Sequence, residues 1–151
     1  MNKITNLQLL FANHYHSLNF FYVCHKIKLM ENRKSLGMLG EDLACSYLKK
    51  KGYRVIKRNE KNRFGEIDII AREKSGTLVF VEVKTMREGE LKPEDQMRKR
   101  KIENFRKSAE FFAGQNEELI GEKRGWRLDL VAITLHSKSH SIVHYKNIVT
   151  Y

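Results

Sequence analysis

The stretch GEIDIIAREKSGTLVFVEVKT, residues 65–85, sets three charged side chains inside two otherwise apolar segments: Asp68 in the first, Glu82 and Lys84 in the second. Two carboxylates offer hard oxygen donors of the kind that Mg2+ or Mn2+ takes. Together with an ammonium they could hold a cation, activate a water and offset charge gathering on phosphorus. Whether the three meet depends on the elements that carry them. In LVFVEVKT side chains alternate, so Leu78, Phe80, Glu82 and Lys84 share one face and Val79, Val81, Val83 and Thr85 the other. In the preceding strand the same rule puts Ile67 and Ile69 on one face and Glu66, Asp68 and Ile70 on the opposite one. The REKSGT turn joins the two as an antiparallel pair, which brings Asp68 beside Glu82. The plainer alternative is a surface ion pair between Glu82 and Lys84 with Asp68 solvated, a reading that suits each residue taken alone.

Two helical segments bring further charges. Ser35 can cap a helix that runs through LGMLGEDLACSYLKKK and stops at Gly52, with Leu36, Leu39, Leu43, Ala44, Tyr47 and Leu48 as its apolar stripe. Glu41 lies at the edge of that stripe. Pro93 opens a second helix, from about Glu94 to Gly114, with Met97, Ile102, Phe105, Ala109 and Phe112 facing inward and Lys101 stacked among them. Charged groups seldom border apolar stripes without a partner, and a metal–phosphate site would give Glu41 and Lys101 one. Arg98, Lys99 and Arg100 would then flank the site and follow a phosphate backbone.

YRVIKRN reads as the first strand, and WRLDLVAITL and HSIVHYKNIVTY as the last two. The order is helix, three strands, helix, two strands: an α/β fold with one mixed central sheet flanked by helices. Arg127 and Asp129 share a strand face and are most simply an ion pair, although Arg127 could also reach a phosphate. Trp126 reads as core ahead of a base-stacking platform, and Cys45 as core ahead of a reactive thiol. His136, His140 and His144 stand four apart but bracket a strand turn, so that spacing does not put them on one face as zinc would need.

The whole chain sets the bounds. Its 151 residues make one domain, 41% hydrophobic and 31% charged, as in ordinary globular proteins. A net charge of +11 points to a polyanionic partner, nucleic acid ahead of membrane. Two cysteines, Cys24 and Cys45, supply no disulfide framework, which fits a reducing cytoplasm. Residues 1–30 differ from the rest: all 18 acidic residues fall in 31–151. Their longest apolar run, FFYVC, is far short of the roughly 20 residues of a membrane span. The reading is an N-terminal extension over 1–30, with Met30 as the natural start and a single domain over 31–151. Without the extension's three lysines, 26 basic residues still face 18 acidic ones.

From about Leu36 to Tyr151 the chain resembles the YraN family of uncharacterised bacterial proteins. The resemblance rests on GEDLACSYLKKKGYRVIKRN, GEIDIIA, VFVEVKT, the basic helix around Lys101, RLDLVAI and HYKNI. It implies the PD-(D/E)XK nuclease-like fold, with a restriction-endonuclease-like α-β-β-β-α-β core, and similarity to archaeal Holliday-junction resolvases. On that likeness Asp68 and Glu82 are the acidic, metal-holding pair, Lys84 the motif lysine, Glu41 the first-helix acid and Lys101 the basic residue of the following helix. The motif's proline is absent, because Ile67 precedes Asp68. The implied activity is Mg2+- or Mn2+-dependent cleavage of branched or structured nucleic acid, DNA ahead of RNA, by a symmetric homodimer. The competing expectations are a nucleic-acid-binding module without turnover and an interaction protein of the translation or envelope machinery.

Overall fold

The computed structural model describes residues 33–90, 99–120 and 125–148. The predicted extension over 1–30 and its start at Met30 lie outside the described residues.

Helix α1, Arg33–Lys50, buries Leu36, Leu39, Gly40, Ala44, Cys45 and Leu48. It is already helical at Arg33, so Ser35 lies inside its first turn and is not the predicted cap. Its C-terminus closes as the sequence implies. Gly52 adopts φ 86°, its N–H donates to Lys49 O at 2.9 Å, and the Tyr53 N–H donates to Leu48 O at 3.0 Å. This pair of bonds satisfies carbonyls that the helix leaves open, and it needs a left-handed residue at Gly52.

Three strands follow: β1 Arg54–Asn62, β2 Gly65–Arg72 and β3 Leu78–Arg87. Helix α2, Lys99–Gln115, leads through a short 3-10 turn, Glu117–Leu119, to β4 Trp126–Leu135 and β5 His140–Tyr145. Pro93 and the residues expected to begin α2 before Lys99 lie outside the described residues. The five strands form one sheet in sequence order, with β3 at its centre. The β3–β4 pair is parallel and the others are antiparallel, because α2 makes the long crossover that a parallel pair requires.

Helices cover both faces of this mixed sheet. Val79, Val81, Val83, Val131 and Ile133 pack with Leu36, Leu39, Ala44 and Leu48 of α1. Ile67, Ile70, Leu78, Phe80 and Leu128 pack with Phe105, Ala109 and Phe112 of α2. The alternation read in β3 is therefore the one observed. In β2 it fails at one place: Ile67 joins the α2 side with Ile70, whereas Ile69 and Ala71 face α1. The break falls at Asp68, opposite Asn59, whose φ is 52°. Trp126 packs edge-on against Phe80 at 5.6 Å in the α2 cluster, which places it in the core. Among the described residues no helix is long and apolar enough to cross a membrane.

Candidate functional site

The β2–β3 ladder stops at Ile69↔Val81, whereas β3 stays paired to β4 as far as Arg87↔Leu135. One edge of β3 is thus released from Glu82 onward. The Asp68 carboxylate reaches into this gap, and its Oδ2 accepts the Val83 N–H at 2.7 Å in place of a ladder carbonyl. A side chain does what backbone would otherwise do, which explains why the alternation of β2 breaks here.

All five sequence-predicted catalytic residues line one cavity at this point. Lys84 Nζ lies 2.6 Å from Glu82 Oε1, and Lys101 Nζ approaches the same oxygen at 2.7 Å from the first turn of α2. Glu82 is only 4% exposed. Asp68, Glu82, Lys84, Lys101 and, from α1, Glu41 line this open cavity of about 360 Å3. Glu41 Oε2 is 3.6 Å from Arg58 Nη2, so it sits on the rim with a cation of its own. The sequence reading missed Arg33, Gly37, Thr85 and Glu90, which also line the cavity. Thr85 was legible as the residue after the motif lysine; Arg33 and Glu90 carried no signal, because they depend on how α1 and the end of β3 approach each other.

Gly40 fixes that approach. A methyl group at this position would overlap the Thr85 hydroxyl, so α1 comes closer to β3 than any other residue allows. The same contact leaves Thr85 Oγ1 buried without a hydrogen-bond partner among the described residues. Close packing thus brings Glu41, the next residue, to the mouth of the cavity.

The charges do not balance comfortably. Burial, and then the neighbouring charge of Glu82, push the Asp68 carboxyl up to about 7, against the pull of the Val83 N–H and Lys84. Burial also holds Lys84 below its ordinary value, despite Glu82. Lys101 goes the other way: burial opposes its charge, but its contacts with Glu82 outweigh that and raise it. Both ammonium groups contact Glu82, and Asp68, dried by burial, keeps the Val83 N–H as its hydrogen bond. The oxygen donors are of the hard type that Mg2+ or Mn2+ accepts, and a Mg2+ site completes itself with waters and substrate phosphates around one or two carboxylates. Among the described residues no three His, Cys, Asp or Glu side chains gather as a metal cage. Asp68 and Glu82 at the cavity offer a donor set of the kind that Mg2+ or Mn2+ would take.

The flanking cations divide. Lys99 and Arg100 are exposed at the start of α2, and Arg98 lies outside the described residues. Arg127 sits elsewhere, in a saturated network. Its Nε donates to Asp129 Oδ1 at 3.0 Å, its Nη1 to Glu73 Oε2 at 2.7 Å and its Nη2 to the Tyr53 hydroxyl at 3.1 Å. Asp129 Oδ1 also accepts the Asn147 N–H, and its Oδ2 meets His144 Nε2 at 2.9 Å. Lys146 Nζ donates to Glu73 Oε1 at 2.8 Å. The ion pair read for Arg127 is what forms, and among the described residues its guanidinium is bonded to Asp129, Glu73 and Tyr53. The histidines separate: His144 faces Asp129, whereas His136 faces Glu88 and Ser141. Cys45 is buried, and burial pushes its thiol up.

A family model described as uncharacterised protein family UPF0102 matches residues 40–133. A UPF0102 protein of Syntrophomonas wolfei is 37% identical over 115 residues, covering 76% of this chain and 96% of that protein. One of Thermotoga neapolitana is 44% identical over 100 residues, 66% of this chain and 88% of the relative. One of Campylobacter jejuni is 39% identical over 97 residues, 64% of this chain and 81% of the relative. The matched span runs from Gly40 through the whole Asp68–Glu82–Lys84 motif to Ile133 in β4, and on this evidence the chain belongs to uncharacterised protein family UPF0102.

Proposed function

We propose that this protein binds nucleic acid and cuts it as a divalent-metal-dependent endonuclease, with branched or structured DNA as the substrate class. The observation that carries the reading is the convergence of Asp68, Glu82, Lys84 and Lys101 in one open cavity at the released edge of β3. A net charge of +11 adds to it, because a phosphate backbone is a natural partner for that surplus. Asp68 and Glu82 would hold Mg2+ or Mn2+. Such an ion supplies Lewis acidity at the phosphate and lowers the pKa of a water. Lys84, buried and held near Glu82, orients the attacking water and offsets charge on the phosphoryl oxygens. Lys101 steadies Glu82 from α2, and Lys99 and Arg100 at the same helix end meet the phosphates that flank the scissile bond. The nuclease-like fold that the sequence resemblance implies is in line with the same assignment.

The test is calorimetric titration of Mn2+ into the wild type and Glu82→Gln, paired with cleavage of duplex, single-stranded, flap and four-way DNA. The wild type should take up Mn2+, the variant should bind it far more weakly, and cleavage should fall at least ~10²-fold in Asp68→Asn and Glu82→Gln. Identical isotherms in wild type and variant would overturn the reading. One observation favours a second reading, a binding module without turnover: Glu82 Oε1 is already held by two ammonium groups. That reading expects tight nucleic-acid binding with neither Mn2+ uptake nor cleavage.

A further inference from the structure

The turn between β1 and β2 carries a feature that the candidate site does not use. Arg63 lies over two aromatic rings at once: its guanidinium carbon is 4.9 Å from the centre of Phe64 and 4.7 Å from that of Phe111. The two rings meet edge-on at 5.8 Å. Arg63 is exposed, whereas Phe64 and Phe111 are half-buried. Among the described residues Arg63 makes no ion pair. The cations around it do: Lys57 pairs with Glu60, Lys61 with Glu66, Arg106 with Glu110 and Lys107 with Glu103. The turn itself is firmly held, because Asn62 bonds Ser108 through both its amide nitrogen and oxygen and its oxygen accepts the Phe64 N–H. A turn held by these bonds therefore presents a guanidinium, backed by two phenyl rings, that has no ion-pair partner among the described residues.

Two elements connect this platform to the cavity. Phe64, in the turn just before β2, precedes Asp68 by four residues, at most roughly 13 Å of extended chain. Along α2, Phe111 follows Lys101 by ten residues, roughly 15 Å of helix. Platform and cavity thus sit at two ends of the same helix–strand pair, about four stacked-base steps apart at 3.4 Å each. The chemistry of the platform suits a base more than a phosphate. A flat guanidinium on aromatic rings stacks with any nucleobase, whereas tracking a backbone takes several unpaired cations. A paired base hides its faces in the stack, so the partner must be unpaired.

We infer that Arg63, Phe64 and Phe111 form a stacking site for one unpaired nucleobase, which seats a single-stranded segment next to duplex held at the Asp68–Glu82 cavity. The assignment rests on the proposed nucleic-acid role and names its substrate more closely: a duplex with an adjoining unpaired strand. The test uses the full chain in EDTA, so that cleavage plays no part, with two probes: a blunt DNA duplex and the same duplex extended by a six-nucleotide single strand. A 2-aminopurine at each overhang position in turn reports stacking as fluorescence quenching. The wild type should bind the extended duplex roughly tenfold more tightly than the blunt one, in line with the stacking of one base. It should also quench 2-aminopurine at one overhang position. Arg63→Gln, at an exposed residue whose side chain makes no hydrogen bond among the described residues, and Phe111→Leu should abolish both the preference and the quenching and leave blunt-duplex affinity unchanged. Equal wild-type affinity for the two probes would overturn the stacking site while the wider nucleic-acid reading stands. Equal losses on both probes in the variants would overturn it too, by making the platform a general contact. Failure to bind either probe would remove both readings.

Discussion

An ion pair of 2.7 Å joins Lys101 to Glu82, and another of 2.7 Å joins Arg127 to Glu73, yet the two surroundings treat their acids in opposite ways. Around Arg127 every charge is answered. Arg127 and Lys146 hydrogen-bond Glu73 and hold it well below the usual carboxylate range. Burial works against the charge of Asp129, but His144, Arg127 and the Asn147 N–H outweigh it and keep the acid below its ordinary value. Around Glu82 burial prevails, and with the charge of Glu82 it drives Asp68 up to about 7. The saturated network ties together β2, β4, the C-terminus of α1 and the segment after β5, which is work for the fold. The unsaturated cluster stands at an open cavity, where a ligand can supply what is missing. The two clusters thus differ in how burial and hydrogen bonding divide: bonding outweighs burial at Asp129, and burial outweighs bonding at Asp68.

The largest effect should come from breaking the saturated side. Arg127→Met leaves Asp129, which is 0% exposed, with a buried charge short of its main partner, and takes a cation from Glu73. Removing one member of a buried pair costs about 3–5 kcal/mol, so urea unfolding should show a midpoint well below the wild type's. A loss under about 1 kcal/mol would mean that His144, Lys146 and the Asn147 N–H carry the network alone.

The two clusters should also respond to pH with opposite signs. Asp129 and Glu73 have folded-state values below their unfolded ones, so their stabilisation is present above about pH 4 and is lost as pH falls through the folded values. Asp68 is the reverse. Its folded value of about 7 lies above the ordinary 3.8, so between those pH values the native state keeps a proton that the unfolded chain releases. Its contribution is full below about pH 4 and lost as pH rises through 7. Asp68→Asn has no proton to lose, and its amide oxygen can still accept the Val83 N–H. The variant should gain stability relative to the wild type across pH 4–7, by at most about 1.4 kcal/mol per pH unit. Thermal melts at pH 4 and pH 8 check this; parallel curves would mean that the carboxylate is no harder to ionise folded than unfolded.

A smaller effect tests how the open cluster is assembled. Gly40→Ala pushes a methyl group into the Thr85 hydroxyl and must move α1 away from β3. Overpacking of this kind costs about 1–3 kcal/mol. It should also lift Glu41 from the cavity mouth, so any Mn2+ affinity should fall along with the melting temperature. Affinity unchanged in a destabilised variant would remove Glu41 from the site.

Much of this contrast was legible in the sequence, though unevenly. The two faces of β3 follow from strict alternation, and both helices present the stripes that cover them. The meeting of Asp68 with Glu82 follows from one short antiparallel turn, because few residues separate the two strands. The break at Ile67 was not legible, since it depends on a carboxylate replacing a ladder bond at the Val83 N–H. The Arg127 network was half legible: Arg127 and Asp129 share a strand face two residues apart, but Tyr53 and Glu73 lie 74 and 54 residues from Arg127. No local pattern joins them. Only the packing of α1 and the return of the chain after β5 do so.

The smallest effect should come from Lys101, and its size sharpens the contrast most. Lys101 is 46% exposed where Arg127 is 17%, so solvent screens its pairing with Glu82 despite the equal distance. Glu82 also keeps Lys84 at 2.6 Å when Lys101 is gone, so its buried charge is not orphaned. Lys101→Met should therefore change unfolding free energy by less than about 1 kcal/mol. Lys84→Met should behave similarly for the same reason, with Lys101 left in place. The double variant removes both cations from one buried carboxylate and should cost more than the sum of the singles, a coupling that urea unfolding of the four proteins measures directly. Additive losses would mean that Glu82 is solvated enough to need neither lysine, and the cluster would then lose the electrostatic tension that distinguishes it from the Arg127 network.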